Sequence, residues 1–92
     1  MGKFLVVHPI GANMDMDAAT PVGKAVKAAC SADAYWVRSW YVPEEGKFYC
    51  EWDAKDADAV RSAMARAFQT IPALPVEGVY PIVASVTGED YR

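Results

Sequence analysis

The part of the sequence that most constrains the fold is an aromatic-rich segment running from Tyr35 to Asp53. It contains all three tryptophans of the chain and one of the two cysteines. Two runs of aromatic and β-branched residues, which favour strands, flank the sequence Pro43-Glu44-Glu45-Gly46. Proline early in such a segment and glycine at its end both favour a tight turn. This pattern predicts a β-hairpin at the centre of the fold.

The composition is that of a small globular protein. A chain of 92 residues with 53% hydrophobic and 23% charged side chains can form one modest core, which predicts a single domain over residues 1–92. The net charge of −3 and the lack of a basic cluster argue against a nucleic-acid partner. Apolar runs are too short to span a bilayer and no signal-peptide pattern opens the chain, so we expect no membrane partner and a cytoplasmic location.

Periodicity and capping residues place the other elements around the hairpin. Thr20 followed by Pro21 is a helix-start signal with threonine as the N-cap, and Asp53 or Asp56 is suited to cap a later helix. The predicted elements are a strand at 3–8, a helix that begins at Pro21 and ends around Ser31 to Asp33, the two hairpin strands, a helix from Ala57 to about Phe68, and a strand at 76–86 interrupted by Pro81.

The order strand, helix, strand, strand, helix, strand is that of the ferredoxin-like βαββαβ arrangement. The sequence therefore predicts an α+β fold with a four-stranded antiparallel sheet, in the spatial order 4-1-3-2, and two helices on one face. Pro81 agrees with this topology, because the fourth strand is an edge strand and proline cannot donate a ladder hydrogen bond.

Alternation along the hairpin divides its side chains between the helix-covered face and the open face. Charged side chains are rarely buried under helices, so the set that contains Arg38 and Glu51 is predicted to lie on the open face. We expect Arg38 to lie opposite Glu51, and Trp40 opposite Tyr49. The covered set is then Val37, Tyr41, Phe48, Cys50 and Trp52, and the open set includes Trp36, Arg38, Trp40, Tyr49 and Glu51.

The first strand is assigned by the same alternation. Leu5 and Val7 are purely aliphatic and suit the covered side, which leaves His8 on the open face. The open face would then expose a large apolar patch, which single chains rarely do. We therefore expect a homodimer in which two open sheet faces pack together, as a dimeric α+β barrel with a pocket between the sheets or at their rim. The apolar residues of the predicted patch are Phe4, Val6, Trp36, Trp40, Val42 and Tyr49.

The polar and aromatic groups of the predicted open face are the candidate ligand-binding residues. They are His8, Trp36, Arg38, Trp40, Tyr49 and Glu51. Polar groups set among aromatic walls are typical of a small-molecule site, although an Arg38–Glu51 ion pair and a hydrogen-bonded His8 would also serve a purely structural role. His8 as a general base would instead make the protein a cofactor-free enzyme, either an isomerase or a small monooxygenase. The sequence does not decide whether the protein is an enzyme.

A metal site has little support from the residues themselves. The chain has one histidine and no paired C-x-x-C motif, and the predicted faces separate Cys50 from His8. The arrangement left open is a site shared by two chains, in which His8 is used twice together with carboxylates. Such ligands suit nickel, zinc or copper.

Four short segments, spread over most of the chain, share a pattern with known proteins. They are V-V-H ending at His8, Y-W-V-R-S-W-Y-V from Tyr35, G-K-F-Y-C-E-W-D-A-K-D-A-D-A-V from Gly46, and V-E-G-V-Y-P-I from Val76. Together they resemble a family of small bacterial proteins of unassigned function with a ferredoxin-like fold, one of which is a nickel-binding protein. The family's C-x-x-E-A-P-D motif corresponds to residues 50–56. Aspartate replaces the motif's glutamate at position 53, and lysine replaces its proline at position 55.

The resemblance carries an expectation about metals. It implies that any cofactor is nickel or another divalent transition metal, with His8 and Cys50 as the metal ligands that best match the family pattern. Members of the family often carry histidine in the second helix, whereas residues 62–68 of this chain contain none.

Overall fold

The computed structural model describes all 92 residues and shows the predicted order of elements. The elements are strand β1 (Gly2–Pro9), helix α1 (Thr20–Ala28), strand β2 (Ala34–Val42), strand β3 (Lys47–Ala54), helix α2 (Ala57–Ala67), strand β4 (Gly78–Ile82) and a 3-10 helix (Gly88–Tyr91). The strands form one antiparallel sheet in the order β2-β3-β1-β4, which is the predicted order read from its other edge. The predicted α+β ferredoxin-like fold is confirmed. No helix is both long and apolar enough to cross a membrane.

The two helices begin differently. Asp56 caps α2 as predicted, because its backbone is extended and its carboxylate accepts a hydrogen bond of 2.7 Å from the backbone N–H of Ala59. At α1 the N-cap position is occupied by Ala19, and no side chain makes a capping hydrogen bond. The prediction that Thr20 caps α1 is therefore wrong, whereas Pro21 does lie in the first turn.

Strand β4 is shorter than predicted and lies at the edge of the sheet. It pairs only with β1, and Pro81 is placed opposite Phe4. Because the outer side of this strand has no neighbour in the sheet, the missing N–H of proline is tolerated there. The hairpin turn is also as predicted, since Gly46 adopts a φ of 66° at its end.

A β-bulge in β2 reverses the predicted faces of its first residues. Trp36 pairs with Trp52 but Arg38 pairs with Glu51, so Val37 is one extra residue in the ladder. A shift of one residue moves each side chain to the opposite face of the sheet. From Arg38 onward the predicted faces are correct. Before the bulge they are wrong, and Trp36 lies under the helices rather than on the open face.

Strand β1 also has its faces reversed relative to the prediction. Val6 pairs with Cys50 and His8 pairs with Phe48, which places both β1 side chains on the helix-covered face. His8 is only 3% exposed. The opposite face carries Lys3, whose ammonium group lies 2.9 Å from the Asp53 carboxylate. The position of a lysine decides the orientation here, because its charge must reach solvent or an acidic partner.

The main core lies between the covered face of the sheet and α2. Helix α2 buries four side chains, whereas α1 buries none completely. The side chains of α1 that point toward the sheet are only half-buried, because open space separates them from it. The buried core cluster is Phe4, Val6, Ala34, Cys50, Trp52, Ala54, Val60, Ala63, Met64 and Val79.

Candidate functional site: a covered cavity

A cavity of about 370 Å³ lies between the covered face of the sheet and the two helices. This volume is within the range of small-molecule sites, roughly 300–1,000 Å³. Of its 16 lining residues, 12 are hydrophobic and none is charged. The lining residues are His8, Met14, Met16, Ala19, Thr20, Val22, Gly23, Val26, Trp36, Ser39, Phe48, Cys50, Trp52, Met64, Phe68 and Leu74.

One wall of the cavity is built by α1 and the loop before it. Gly23 faces Trp36, and a Cβ atom at this glycine would lie 3.8 Å from the indole ring. The loop is attached to the hairpin through Tyr41, whose hydroxyl donates to the Gly11 carbonyl at 2.7 Å and accepts from the Met14 N–H at 3.1 Å. This attachment holds the methionines of the loop against the cavity.

His8 supplies the strongest hydrogen-bond acceptor that the cavity leaves free. Its Nδ1 atom donates to the Pro75 carbonyl oxygen at 2.9 Å, so the neutral ring carries its lone pair on Nε2. Burial lowers the pKa of His8 below the usual value of 6.5, although the hydrogen bond to Pro75 opposes this shift. Every fully buried polar side-chain atom has a partner within the chain, whereas Nε2 makes no such bond. The Nε2 atom therefore keeps some accessible surface, and it belongs to a side chain that lines the cavity.

A second group of polar atoms in the cavity is already bonded internally. The indole N–H of Trp36 donates to the Ser39 hydroxyl at 2.8 Å, and this hydroxyl donates to the Cys50 sulfur at 3.0 Å. Burial raises the pKa of the Cys50 thiol to about 11, with the hydrogen bond from Ser39 acting in the opposite direction. At neutral pH Cys50 is consequently a protonated thiol, and the Ser39 hydroxyl is engaged both as acceptor and as donor.

Four of the six predicted ligand-binding residues lie on the open face, away from the cavity. Arg38 pairs with Glu51 at 3.5 Å, and Trp40 lies opposite Tyr49, as predicted. Glu51 also accepts a hydrogen bond from Lys3 at 3.1 Å. The Tyr49 hydroxyl donates to the Glu45 carboxylate, and this bond raises the pKa of the phenol. Arg38 and Glu51 thus take part in an exposed charge network.

The other two predicted residues, His8 and Trp36, both line the cavity and join Cys50 there. The predicted separation of His8 from Cys50 is therefore wrong, because both lie on the covered face of the sheet. No group of three or more histidine, cysteine, aspartate or glutamate side chains converges in the structure. His8 and Cys50 share a cavity without a third donor of these types.

Sequence reasoning missed most of the cavity wall. Met14 and Met16 in the loop before α1, Val26 on α1 and Phe68 just after α2 all line the cavity, and none of them is among the candidate residues predicted from the sequence. Nothing in their spacing distinguishes a cavity wall from a filled core. The residue that indicates the position of His8 is Lys3. If the charge of Lys3 lies on the open face, alternation along the strand places His8 on the face under the helices.

Comparison with known proteins adds family membership to this geometry. Residues 4–77 match the family described as "Nickel responsive protein SCO4226-like". The fold is similar to the crystal structure of SCO4226 from Streptomyces coelicolor A3(2), with a TM-score of 0.74 and 20% sequence identity, over 91% of this chain and 99% of that one. No curated protein matches the sequence. Because the family match spans most of the chain and agrees with the motifs noted in the sequence, the chain belongs to this SCO4226-like family.

Proposed function

We propose that the protein binds a small, neutral and mainly apolar molecule in the covered cavity. The observation that carries this proposal is the combination of an apolar wall with one free acceptor, Nε2 of His8. Ligand sites are typically apolar clefts in which a few polar groups fix the orientation of the bound molecule. A charged ligand would lose its hydration without gaining a charged partner, because no charged side chain lines the space.

The location of the cavity gives such a ligand a role in stability. A domain of this size is only marginally stable, and an unfilled space removes packing contacts that would otherwise support it. A molecule that binds the folded chain and not the unfolded chain raises the free energy of unfolding by mass action. Ligand binding is therefore expected to strengthen the packing of α1, which buries no side chain completely.

The catalytic alternative, with His8 as a general base, has weaker support. A general base works best when its pKa is near the working pH, whereas burial lowers the pKa of His8. Its orienting partner is the backbone carbonyl of Pro75, which stabilises a developing positive charge less than a carboxylate does. These features favour His8 as a hydrogen-bond acceptor for a bound molecule.

Nickel is suggested by the family's description, but the residues of one chain do not fit it. The cavity offers one imidazole nitrogen and one thiol whose pKa is raised to about 11, with no carboxylate in the wall. Nickel(II) sites in proteins usually combine several nitrogen or oxygen ligands. The predicted two-chain site that uses His8 twice does not fit either, since His8 is buried under the helices and not on the open face.

The binding proposal is tested by filling the cavity. Val26 on α1 lines the cavity, so Val26→Phe would place a ring in the space, whereas Val83→Phe makes the same change at a fully exposed position. A neutral fluorescent probe, N-phenyl-1-naphthylamine, is expected to bind the wild type at one equivalent with micromolar affinity, about −8 kcal/mol. We expect Val26→Phe to weaken binding about tenfold or more and Val83→Phe to leave it unchanged. Absence of saturable binding, or equal binding by both variants, would contradict the proposal.

Nickel is tested separately by calorimetry on wild type and on His8→Asn. The donor set of the cavity leads us to expect no stoichiometric, high-affinity site within a single chain. Tight binding of one nickel ion per chain that is lost in His8→Asn would show that the cavity residues do act as metal ligands.

We further propose that the chain forms a homodimer through the open face of the sheet. Trp40 and Tyr80 on this face are 47% and 46% exposed, and Leu5 and Tyr49 are half-buried between them. Aromatic side chains exposed on one sheet face are typical of association surfaces. A second copy offers the same surface, and two-fold packing is the commonest way to cover such a face.

Sedimentation at micromolar concentration tests the homodimer. The wild type is expected to sediment as a dimer, and Trp40→Lys as a monomer, because the substitution removes an exposed aromatic ring from the open face and places a charge there. Tyr91→Lys is the matched control, since Tyr91 is 74% exposed on the 3-10 helix, outside the sheet. A monomeric wild type would disprove the dimer.

A further inference from the structure

We propose that the ligand of the covered cavity is a neutral aromatic molecule with one hydroxyl group, and that this hydroxyl donates a hydrogen bond to Nε2 of His8. The inference rests on the proposed binding function and specifies its ligand class. Three properties of the cavity support it: the character of its walls, its lack of charge, and the state of its polar atoms.

The walls favour a flat aromatic molecule. Four aromatic rings and three thioethers face the space, among them Trp36, Phe48 and Trp52 on the sheet. Aromatic rings pack against one another in offset or edge-to-face contacts that add stabilisation beyond area burial. Methionine sulfur makes favourable contacts with ring edges, and its flexible side chain adapts to ligands of different shape. An aromatic ligand gains more from this surface than a flexible aliphatic one.

The lack of charge excludes acids and amines from this class. A fatty acid or aromatic carboxylate would bury its negative charge without a cation, and an amine would bury a positive charge without a carboxylate. The nearest acidic and basic side chains of the sheet lie on its open face. A neutral molecule is the only kind that does not pay this desolvation penalty.

The polar atoms specify a hydrogen-bond donor on the ligand. The Ser39 hydroxyl already accepts from Trp36 and donates to Cys50, so its proton is not available to a ligand. Nε2 of His8 is an acceptor because Nδ1 holds the proton against Pro75. A purely apolar ligand would seal this nitrogen from water without a partner, which is unfavourable. A hydroxyl group on the ligand satisfies it.

The test compares two ligands of nearly equal shape, 2-naphthol and 2-methylnaphthalene, in which a hydroxyl replaces a methyl group. In calorimetry the wild type is expected to bind 2-naphthol about tenfold or more tightly than 2-methylnaphthalene. This is the ratio of affinities expected when one buried acceptor gains a hydrogen-bond donor. In His8→Asn the amide nitrogen can still donate to Pro75, but no acceptor remains at the Nε2 position. This variant is expected to bind both compounds within about twofold of each other.

A second measurement needs no variant. The chain has a single histidine, so its imidazole ¹⁵N signals are unambiguous. Addition of 2-naphthol is expected to shift the Nε2 resonance as this nitrogen accepts a hydrogen bond, and 2-methylnaphthalene is not. Equal affinity for both compounds, or an unmoved Nε2 resonance, overturns the inference and leaves the binding function standing. If neither compound binds, the inference and the binding function are both overturned.

Discussion

Nδ1 of His8 donates a hydrogen bond of 2.9 Å to the carbonyl oxygen of Pro75 and so links the first strand of the sheet to the connection that precedes the last strand. The bond has a structural and a functional consequence. It joins two segments that are far apart in sequence, and it fixes the tautomer so that Nε2 is left as an acceptor at the cavity surface.

The buried histidine makes the stability of the fold depend on pH. Burial lowers the pKa of His8 below 6.5, so the unfolded chain binds its proton at a higher pH than the folded chain does. The stability that the fold gains from keeping His8 neutral is fully present above about pH 6.5. It is lost as the pH falls toward and through the lowered pKa of His8 in the folded chain. We expect the free energy of unfolding, measured by urea denaturation, to fall below pH 6.5 with a slope of up to about 1.4 kcal/mol per pH unit from this group.

His8→Phe is the control for this pH dependence. The chain has no other histidine, and the carboxylates contribute equally to both proteins, so the difference between the two pH profiles isolates the imidazole. The variant is expected to lose the slope just below pH 6.5. If both proteins show the same profile between pH 5 and 7, His8 is not buried as the structure has it.

The hydroxyl of Ser39 holds two partners in place, and its removal is expected to be costly. Ser39→Ala leaves the indole N–H of Trp36 without an acceptor and removes the donor to the Cys50 sulfur. Loss of a partner from a largely buried donor costs about 1–3 kcal/mol, and we expect the free energy of unfolding to fall by that amount. Ser62→Ala on the exposed side of α2 is the matched control and should leave stability unchanged or slightly raised. Equal changes in the free energy of unfolding at the two serines would argue against the hydrogen bonds that join Trp36, Ser39 and Cys50.

Much of the fold could be predicted from the sequence, because its signals are local. The turn at Gly46, the cap at Asp56 and the edge position of Pro81 each depend on the conformational limits of a few neighbouring residues. These limits hold whatever the rest of the chain does. The order of elements then leaves few topologies open.

The candidate site could not be predicted to the same degree, because it depends on which face each side chain occupies. One extra residue at Val37 moves Trp36 from the open face to the cavity, and no residue type in that segment signals a bulge. On β1 the aliphatic pair Leu5 and Val7 favours the wrong orientation, whereas the charge of Lys3 indicates the correct one. The two errors placed His8 and Trp36 on the wrong surface, and the cavity was therefore not foreseen.

The Cys50 thiol is expected to be chemically inert in the folded chain. With a pKa of about 11, about one Cys50 in a thousand is a thiolate at pH 8, and only the thiolate reacts with iodoacetamide. In a Cys30→Ser background we expect Cys50 to be alkylated about a hundredfold more slowly in the native protein than in urea. Mass spectrometry of timed samples measures both rates. Comparable rates in the two conditions would show that the thiol is not sealed in the covered face.

Two glycines in different backbone conformations predict opposite responses to the same substitution. Gly23 lies inside α1 without a positive φ, and a Cβ atom there would make an ordinary contact of 3.8 Å with Trp36. Gly23→Ala should therefore raise the free energy of unfolding by about 0.5–1 kcal/mol, which corresponds to a Tm increase of about 2–8 °C for a domain of this size.

Gly11 has open space around it but a φ of 89°, a conformation that disfavours a side chain. Gly11→Ala is expected to lower the free energy of unfolding by about 1 kcal/mol through backbone strain alone. Thermal denaturation of the two variants, followed by circular dichroism, compares the signs directly. If both variants are less stable than the wild type, the methyl group of Gly23→Ala clashes with Trp36. The space between α1 and Trp36 would then be tighter than the structure shows.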